Sequence, residues 1–276
     1  SAESIQKKIN AINKLKVLVI GEIIIDQYVF CEALGKSGKE PVLVLRDLET
    51  QEYLGGSLAI ARHLIGFCKT VSVLSFLGED NEYKSFIEEN MEDNINLNFL
   101  NKSNSPTIVK RRFVDHIDRK KVLGVYSIND DLLKENEEDK FIESFDKLSK
   151  DHDLVIISDY GHGVITPKIA EYVSSSNKFI SLNAQINAAN IGTHNIRKYK
   201  DIDCLVINET ELRHEMRQRG GDAHIMAATL KDLINIKYMS VTRGREGAFL
   251  LNDSNLPVTC PGFATQVVDK VGSGDA

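Results

Sequence analysis

Val267-Val-Asp-Lys-Val-Gly-Ser-Gly-Asp-Ala276 decides how this chain is read. Two apolar residues, an acid and two spacers lead into Gly-Ser-Gly-Asp, the pattern of a strand running into a glycine-rich turn that opens a helix. Gly272 and Gly274 let backbone N–H groups converge on one point without Cβ clashes. A helix start adds the positive end of its dipole to that point. The result is an anion pocket with Asp275 inside it. The carboxylate can take a proton from a hydroxyl while the Gly272-Ser273-Gly274 backbone stabilises charge on a transferring phosphoryl group. A plain glycine turn with an N-capping Asp explains the tetrapeptide equally well, because short glycine motifs recur by chance.

Upstream of it, Tyr238-Met-Ser-Val-Thr242 reads as a strand, followed by Arg243-Gly-Arg-Glu-Gly247. A hairpin turn into Ala248-Phe-Leu-Leu251 accounts for Gly244 and Gly247 by itself. The segment 220–235 predicts a helix with Ile225, Ala228 and Leu233 in the core. Cys204-Leu-Val-Ile-Asn-Glu-Thr-Glu-Leu212 is a strand running into a helix. One helical turn places Asn208 and Glu211 on one face, where oxygen ligands can organise Mg2+ through water. The same spacing is an Asn N-cap with its capping-box acid, and both can hold.

At the other end, Ile5, Ile9, Ile12 and Leu15 recur at helical spacing and predict a short amphipathic helix. Lys16-Val-Leu-Val-Ile-Gly21 is a continuous apolar run, as expected of a parallel-sheet strand buried on both faces. It ends in Gly-Glu-Ile-Ile-Ile-Asp26, which puts Asp26 just past the strand end where open α/β sheets bind ligands. An Asx-turn is the alternative for this residue. Gly55-Gly56 opens a helical stretch over 57–67 and permits close approach of a ligand to backbone. Residues 80–91 read as a helix, and so do 137–150, whose Phe141, Ile142, Phe145 and Leu148 form one stripe. Thr166-Pro167 caps a further helix.

Two segments, about 27–54 and 105–127, are β-prone without helical period and predict a small antiparallel lid set off from the main sheet. The second is basic. Strand alternation puts Lys110 and Arg112 on one face and Arg111 on the other. Two cations on one face can hold a phosphate already carried by a substrate; a solvated hairpin is the bland alternative.

The chain has 276 residues, 42% hydrophobic and 27% charged, with a net charge of −6. This excludes bulk attraction to nucleic acid or to an anionic membrane surface. Cys31, Cys68, Cys204 and Cys260 are scattered beside apolar sequence and are expected as buried reduced thiols. No stretch approaches the roughly 20 apolar residues that span a bilayer. The polar, Lys-rich residues 1–14 have no signal-peptide pattern. A cytoplasmic protein is expected. Alternating strands and helices predict an α/β fold with a mostly parallel sheet and helices on both faces.

Asp269-Lys-Val-Gly-Ser-Gly-Asp-Ala276 resembles the D-x-x-G-[AS]-G-D-[AT] signature of the PfkB (ribokinase-like) carbohydrate kinases. Thr242, Gly244 and Gly247 match that family's T-x-G-x-x-G nucleotide turn. Asn208 and Glu211 match its N-x-x-E, and Gly21 to Asp26 its G-[DE]-x-x-x-D; all occur in family order. The resemblance implies a ribokinase-like fold over 1–276, ending short of the family's last elements, so that residues 1–276 alone turn over weakly or not at all. It implies ATP and Mg2+ as cofactors, with Asp275 as catalytic base and Gly272, Ser273 and Gly274 as anion hole. Asp26, Gly55 and Gly56 become substrate contacts, Asn208, Thr242, Gly244 and Gly247 nucleotide contacts, and Glu211 a water-mediated Mg2+ residue.

Thr107-Ile-Val-Lys-Arg-Arg112, Ser158-Asp-Tyr-Gly-His-Gly163 and Ser37-Gly-Lys-Glu-Pro-Val42 further resemble the heptose 7-phosphate kinases of the family. This implies a sugar-phosphate acceptor held by Lys110 and Arg112, and a homodimer formed through the lid. A fused nucleotidyltransferase domain would lie beyond Ala276. Three departures stand out. The Asn of G-G-x-x-x-N is missing after Gly55-Gly56. Asn183-Ala-Gln185 replaces D-P-[KN]. His162 stands at the usual Lys, and no role is given to it. Ribose, adenosine or fructose phosphate as substrate is the alternative, as is a non-catalytic binding or dimerisation module.

Overall fold

In the computed structural model the described residues are 2–187 and 189–263. The signature residues Gly272, Ser273, Gly274 and Asp275, and the strand expected at 265–268, lie outside them.

The first strand, β1 (Lys16–Gly21), shows how the apolar runs are used. Leu18 and Ile20 enter one core, and Val17 and Val19 enter a second on the opposite face. Each such side chain contributes roughly 1.5–3 kcal/mol on burial, which is why the strand is apolar throughout rather than alternating. β1 pairs in parallel with β4 (Thr70–Leu77) and with β8 (Leu154–Asp159). Beyond β4 lies β5 (Ile95–Asn101). Beyond β8 come β9 (Phe179–Ala184), β10 (Cys204–Asn208) and β11 (Tyr238–Thr242), all parallel. β12 (Ala248–Leu251) and β13 (Val258–Cys260) close that edge antiparallel. The described strands of this sheet follow the order β13-β12-β11-β10-β9-β8-β1-β4-β5.

Helices cover both faces. On one side Phe141 and Phe145 of α4 (Glu135–Ser149) pack with Ile169 and Val173 of α5 (Pro167–Ser174). Thr166 caps α5 by accepting from the Ile169 N–H, with Pro167 at the first helical position as the sequence predicts. On the other side lie Leu58 and Ala61 of α2 (Ser57–Ile65) and Ile87 of α3 (Lys84–Asn90). α6 (Glu209–Glu215) and α7 (Ala223–Leu233) flank the β10–β11 end.

The β-prone segments form a second sheet, β2 (Ile23–Lys36), β3 (Leu43–Gly56), β6 (Val109–Asp115) and β7 (Lys121–Ser127), in the order β3-β2-β6-β7. It begins as soon as β1 ends. Its base, through Ile23, Ile25, Leu54 and Val109, shares the second core with Val17, Val19, Val71 and Val73 of the main sheet.

Five expectations need correction. The small sheet is mixed rather than antiparallel, because β2 and β6 run in parallel while β2–β3 and β6–β7 are antiparallel. In α7 the buried residues are Ala223, Met226, Ala227 and Leu230, while Ile225 and Leu233 are exposed. Asp222 caps the helix through His224 N and Ile225 N, and this sets the phase that turns Ile225 outward. α3 starts only at Lys84, because Asn81 and Tyr83 adopt positive φ and hold 80–83 as a turn. Cys260 is exposed and Cys204 half-buried; Cys31 and Cys68 are buried. The N-terminal helix α1 (Ala2–Ile12) forms, but Ile5 and Ile12 remain exposed.

Candidate active site

Because β1, β8, β9, β10 and β11 are parallel, Gly21, Asp159, Ala184, Asn208 and Thr242 end along one edge of the sheet, where such sheets bind ligands. Two groups of singled-out residues meet this edge.

The first is on the small sheet. Register pairs Asp26 with Lys110, Tyr28 with Arg112, and Lys110 with Tyr126, so these residues share a face. Arg111 lies on the other face, donating to Gln27. The guanidinium of Arg112 is paired with Asp26 and lies 5.6 Å from the Tyr28 ring centroid. Burial works against this charge, but Asp26 outweighs it and raises the pKa of Arg112 further. A Cβ on Gly55 would stand 2.5 Å from Asp26 Oδ2 and 3.2 Å from Ile24 O, so a larger residue there would push the Asp26 carboxylate aside. Lys110 is buried, its Nζ 5.8 Å from the Tyr126 ring centroid and 5.6 Å from that of Tyr160, which follows β8. Both distances are within reach of cation–π attraction.

The second group lies where β10 and β11 end. Asn208 caps α6 by accepting from Glu211 N at 2.9 Å, and Glu211 returns the bond by accepting from Asn208 N at 2.8 Å. Glu211 also accepts from Ile186 N at 3.4 Å. Burial raises its pKa from 4.5 to about 7, against these hydrogen bonds. The capping box is therefore real, and the carboxylate is one whose charge a nearby cation would favour. Among the described residues no cluster of three or more His, Cys, Asp or Glu could hold a metal alone. A single buried carboxylate fits an Mg2+ that arrives with a nucleotide and is reached through water. In the turn after Thr242, Arg243 N donates to Gly247 O at 2.8 Å, and Gly244 and Gly247 have φ of +56° and +86°. A Cβ on Gly247 would collide with the Cys260 carbonyl of β13, whereas Gly244 has open space around it. Glu209 accepts from both Arg243 and Arg213, tying this turn to α6.

Between the groups lies a buried polar network that sequence reasoning missed. Asp159 accepts from the Tyr199 hydroxyl at 2.6 Å and is ion-paired with Lys198 at 2.7 Å. Burial opposes its charge, but Lys198 and His194 hold its pKa below the usual carboxylate range. Asn187 and Asn190 both donate to Tyr160 O, so the polar run after β9 is anchored to the β8 end. His162 is wholly buried and bonded to Asp130 at 2.7 Å. Glu22 is also wholly buried; burial and then Asp159 raise its pKa from 4.5 to about 7. Glu22 had a sequence signal in G-E-x-x-x-D, and Asp159, Tyr160 and His162 had one in the Ser158–Gly163 motif, but neither pattern showed these contacts. Lys198 and Tyr199 had none.

The Glu22 shift has a sign that can be measured. From pH 4.5 to about 7 the folded state holds a proton that the unfolded state has lost. Stability should therefore fall as pH rises through this window, by about 3 kcal/mol for Glu22 alone, and level off above it. Glu211 acts in the same direction. Urea midpoints at pH 5 and pH 8 check this; Glu22→Gln should shrink the difference, and an equal slope in the variant would refute it.

An α/β sheet with nine strands among the described residues and helices on both faces, a small β-sheet rooted at its first strand, and polar side chains gathered at the strand ends define the ribokinase-like class of fold. Residues 14–276 match the pfkB family carbohydrate kinases, and the chain belongs to that family. It is similar to the bifunctional protein HldE of Campylobacter jejuni strain RM1221, 27% identical over 266 residues, covering 95% of this chain and 55% of that one. The chain thus spans about half the length of the curated relatives it matches. Ribokinase from Thermotoga maritima superposes with a TM-score of 0.69 at 19% identity, covering 95% of this chain and 82% of the other. Phosphofructokinase-2 from Escherichia coli, in complex with potassium, does so with a TM-score of 0.71 at 13% identity, covering 95% and 82%. These two likenesses concern the fold alone. Among the described residues no helix is long and apolar enough to cross a membrane.

Proposed function

We propose that this chain is the kinase unit of an ATP-dependent sugar kinase, transferring the γ-phosphoryl group to a hydroxyl of a sugar phosphate of the heptose 7-phosphate type. One observation carries the reading. Asp26, Lys110 and Arg112 share a face of the small sheet, and Lys110 on that face lies against Tyr160 at the edge where the strands of the main sheet end. A hydroxyl acceptor beside an anion-binding cation is what that face can hold.

In this proposal Asp26, with Gly55 and Gly56, orients the acceptor hydroxyls. Lys110 receives the phosphate that the acceptor already carries. Arg112, neutralised by Asp26, fixes that carboxylate and can turn one N–H to the phosphate. Asn208, Thr242, Gly244 and Gly247 lie along the nucleotide. Asp275 takes the proton of the attacking hydroxyl, and the Gly272-Ser273-Gly274 amides receive the γ-phosphoryl oxygens. When bound, Mg2+ neutralises charge on the β- and γ-phosphates; Glu211 would reach it through water. Closure of the small sheet over the acceptor would exclude water and so suppress hydrolysis. The exposed Leu43, Leu48, Leu123 and Val125 of this sheet support a homodimer formed through it, which sedimentation of the intact protein would report. The HldE likeness, covering 55% of that chain, supports a fused second domain. A cytoplasmic site of action, where ATP is supplied, belongs to the same proposal.

ADP release by the intact protein, measured across a panel of sugars and sugar phosphates, tests the reading. The expected result is turnover with phosphorylated sugars preferred over their unphosphorylated forms. Lys110→Ala should raise the acceptor KM about tenfold, the loss of one charge-assisted hydrogen bond, with the nucleotide KM unchanged. No turnover with any sugar would sink the kinase assignment. An unchanged acceptor KM in the Lys110→Ala, Arg112→Ala double variant would remove the phosphate clamp.

A further inference from the structure

The turn after β8 contains an anion site whose anion is supplied by the protein. Gly161 and Gly163 have φ of +69° and +89°, alternating with ordinary residues between them. This alternation turns successive N–H groups inward and makes a cation-like concavity, the kind of backbone nest that holds phosphates elsewhere. Here it holds Glu22. The Oε2 atom accepts from Tyr160 N at 2.9 Å, and Oε1 accepts from His162 N at 3.1 Å and Val164 N at 3.3 Å. The amide between the first two, Gly161 N, goes to Asp159 Oδ1 at 3.0 Å.

The backbone of Glu22 is anchored as well as its carboxylate. Glu22 N donates to Ser158 O, and Glu22 O accepts from both the amide and the hydroxyl of Ser57. Gly56, with φ of +60°, is needed there, because a Cβ would stand 2.5 Å from Glu22 O. Glu22 is thus the residue at which β1, β2, α2 and the β8 turn meet.

A wholly buried carboxylate is an expensive way to hold a turn. What the turn carries gives the reason. Tyr160, its first residue beyond β8, places its ring 5.6 Å below the Lys110 ammonium, and Tyr126 of β7 stands 5.8 Å away. We propose that Glu22 is a positioning residue: it plugs the 160–164 nest, fixes the Tyr160 ring under Lys110, and so sets where the phosphate of the acceptor is received. This rests on the acceptor reading given above. The nest cannot itself serve the substrate, since Glu22 fills it. Glu22 thus adds a polar tie at the end of β1 to the apolar core that the small sheet and the main sheet share.

Glu22→Gln keeps the shape and one acceptor oxygen while removing the charge that Glu22 carries above about pH 7, so both tests are run at pH 8. The first test does not depend on turnover. Acetylation of the intact protein by acetic anhydride, followed site by site by mass spectrometry, reports the access of Lys110. Glu22→Gln should speed the reaction at Lys110 about tenfold, as expected for losing bonds to one charged group. Lys231, buried in α7, serves as the control and should not change. An unchanged Lys110 rate in a folded variant overturns the proposal. The second test is a kinetic cycle. Glu22→Gln should raise the KM of a phosphorylated acceptor about tenfold with the nucleotide KM unchanged, and should add nothing in the Lys110→Ala background. Additive effects overturn the action through Lys110, whereas a wild type indifferent to acceptor phosphate overturns the substrate reading and leaves the acetylation result to decide the role of Glu22.

Discussion

Replacing Asp275 with Asn is expected to lower kcat for sugar phosphorylation about a thousandfold, with both KM values changed little. General-base groups contribute roughly 10²- to 10⁴-fold. The Asn keeps the volume and polarity of the side chain but cannot take the acceptor proton, so binding survives and chemistry does not. The split between kcat and KM is the informative part. A loss carried in KM would make Asp275 a binding residue, and full activity in Asp275→Asn would end its assignment as base. The prediction rests on the terminal motif and on family membership, which extends over residues 14–276.

Gly21→Ala is expected to destabilise the protein by about 3–5 kcal/mol, the sum of an overpacked core and a strained backbone. Gly21 has φ of +131°, and an added Cβ would lie inside the carbonyl of Ser158 on β8. That carbonyl accepts the Glu22 amide, and Gly21 O accepts from the Ser75 hydroxyl. The backbone of β1 therefore cannot move away without releasing Glu22 and the turn it holds. Gly38→Ala is the control: its Cβ would meet nothing within 4 Å, and its effect should be near zero. Urea denaturation of both variants decides the matter. A loss below about 1 kcal/mol in Gly21→Ala would show that the β1–β8 contact yields more readily than a parallel-sheet core should.

These two residues were legible to different degrees. Asp275 stood out because its motif is local, with the glycines and the acid adjacent in the chain. Gly21 was visible as the end of an apolar run and the first residue of G-E-x-x-x-D, neither of which shows what its missing Cβ avoids. Its strict requirement comes from Ser158, on a strand that the sequence places far away. The same contrast runs through the site. Asn208 and Glu211 form the capping box that their spacing implies, because one turn of helix brings them together whatever surrounds it. Lys110 and Arg112 share a face because strand alternation requires it. That Arg112 is taken by Asp26, and Lys110 by two tyrosine rings, depends on the register of β2 against β6 and β7, which no local pattern records.

By itself the sequence determined the class of fold, the order of strands and helices, the two β-prone insertions and the motifs at the strand ends. All of these are written in short-range periodicity, caps and glycines, which act through the backbone within a few residues. Only the tertiary structure decided that Glu22 fills the nest of residues 160–164, that Asp159 meets Lys198 and Tyr199, and that Ile225 faces solvent. Those outcomes depend on desolvation and on partners remote along the chain, and both come into being when the layers pack.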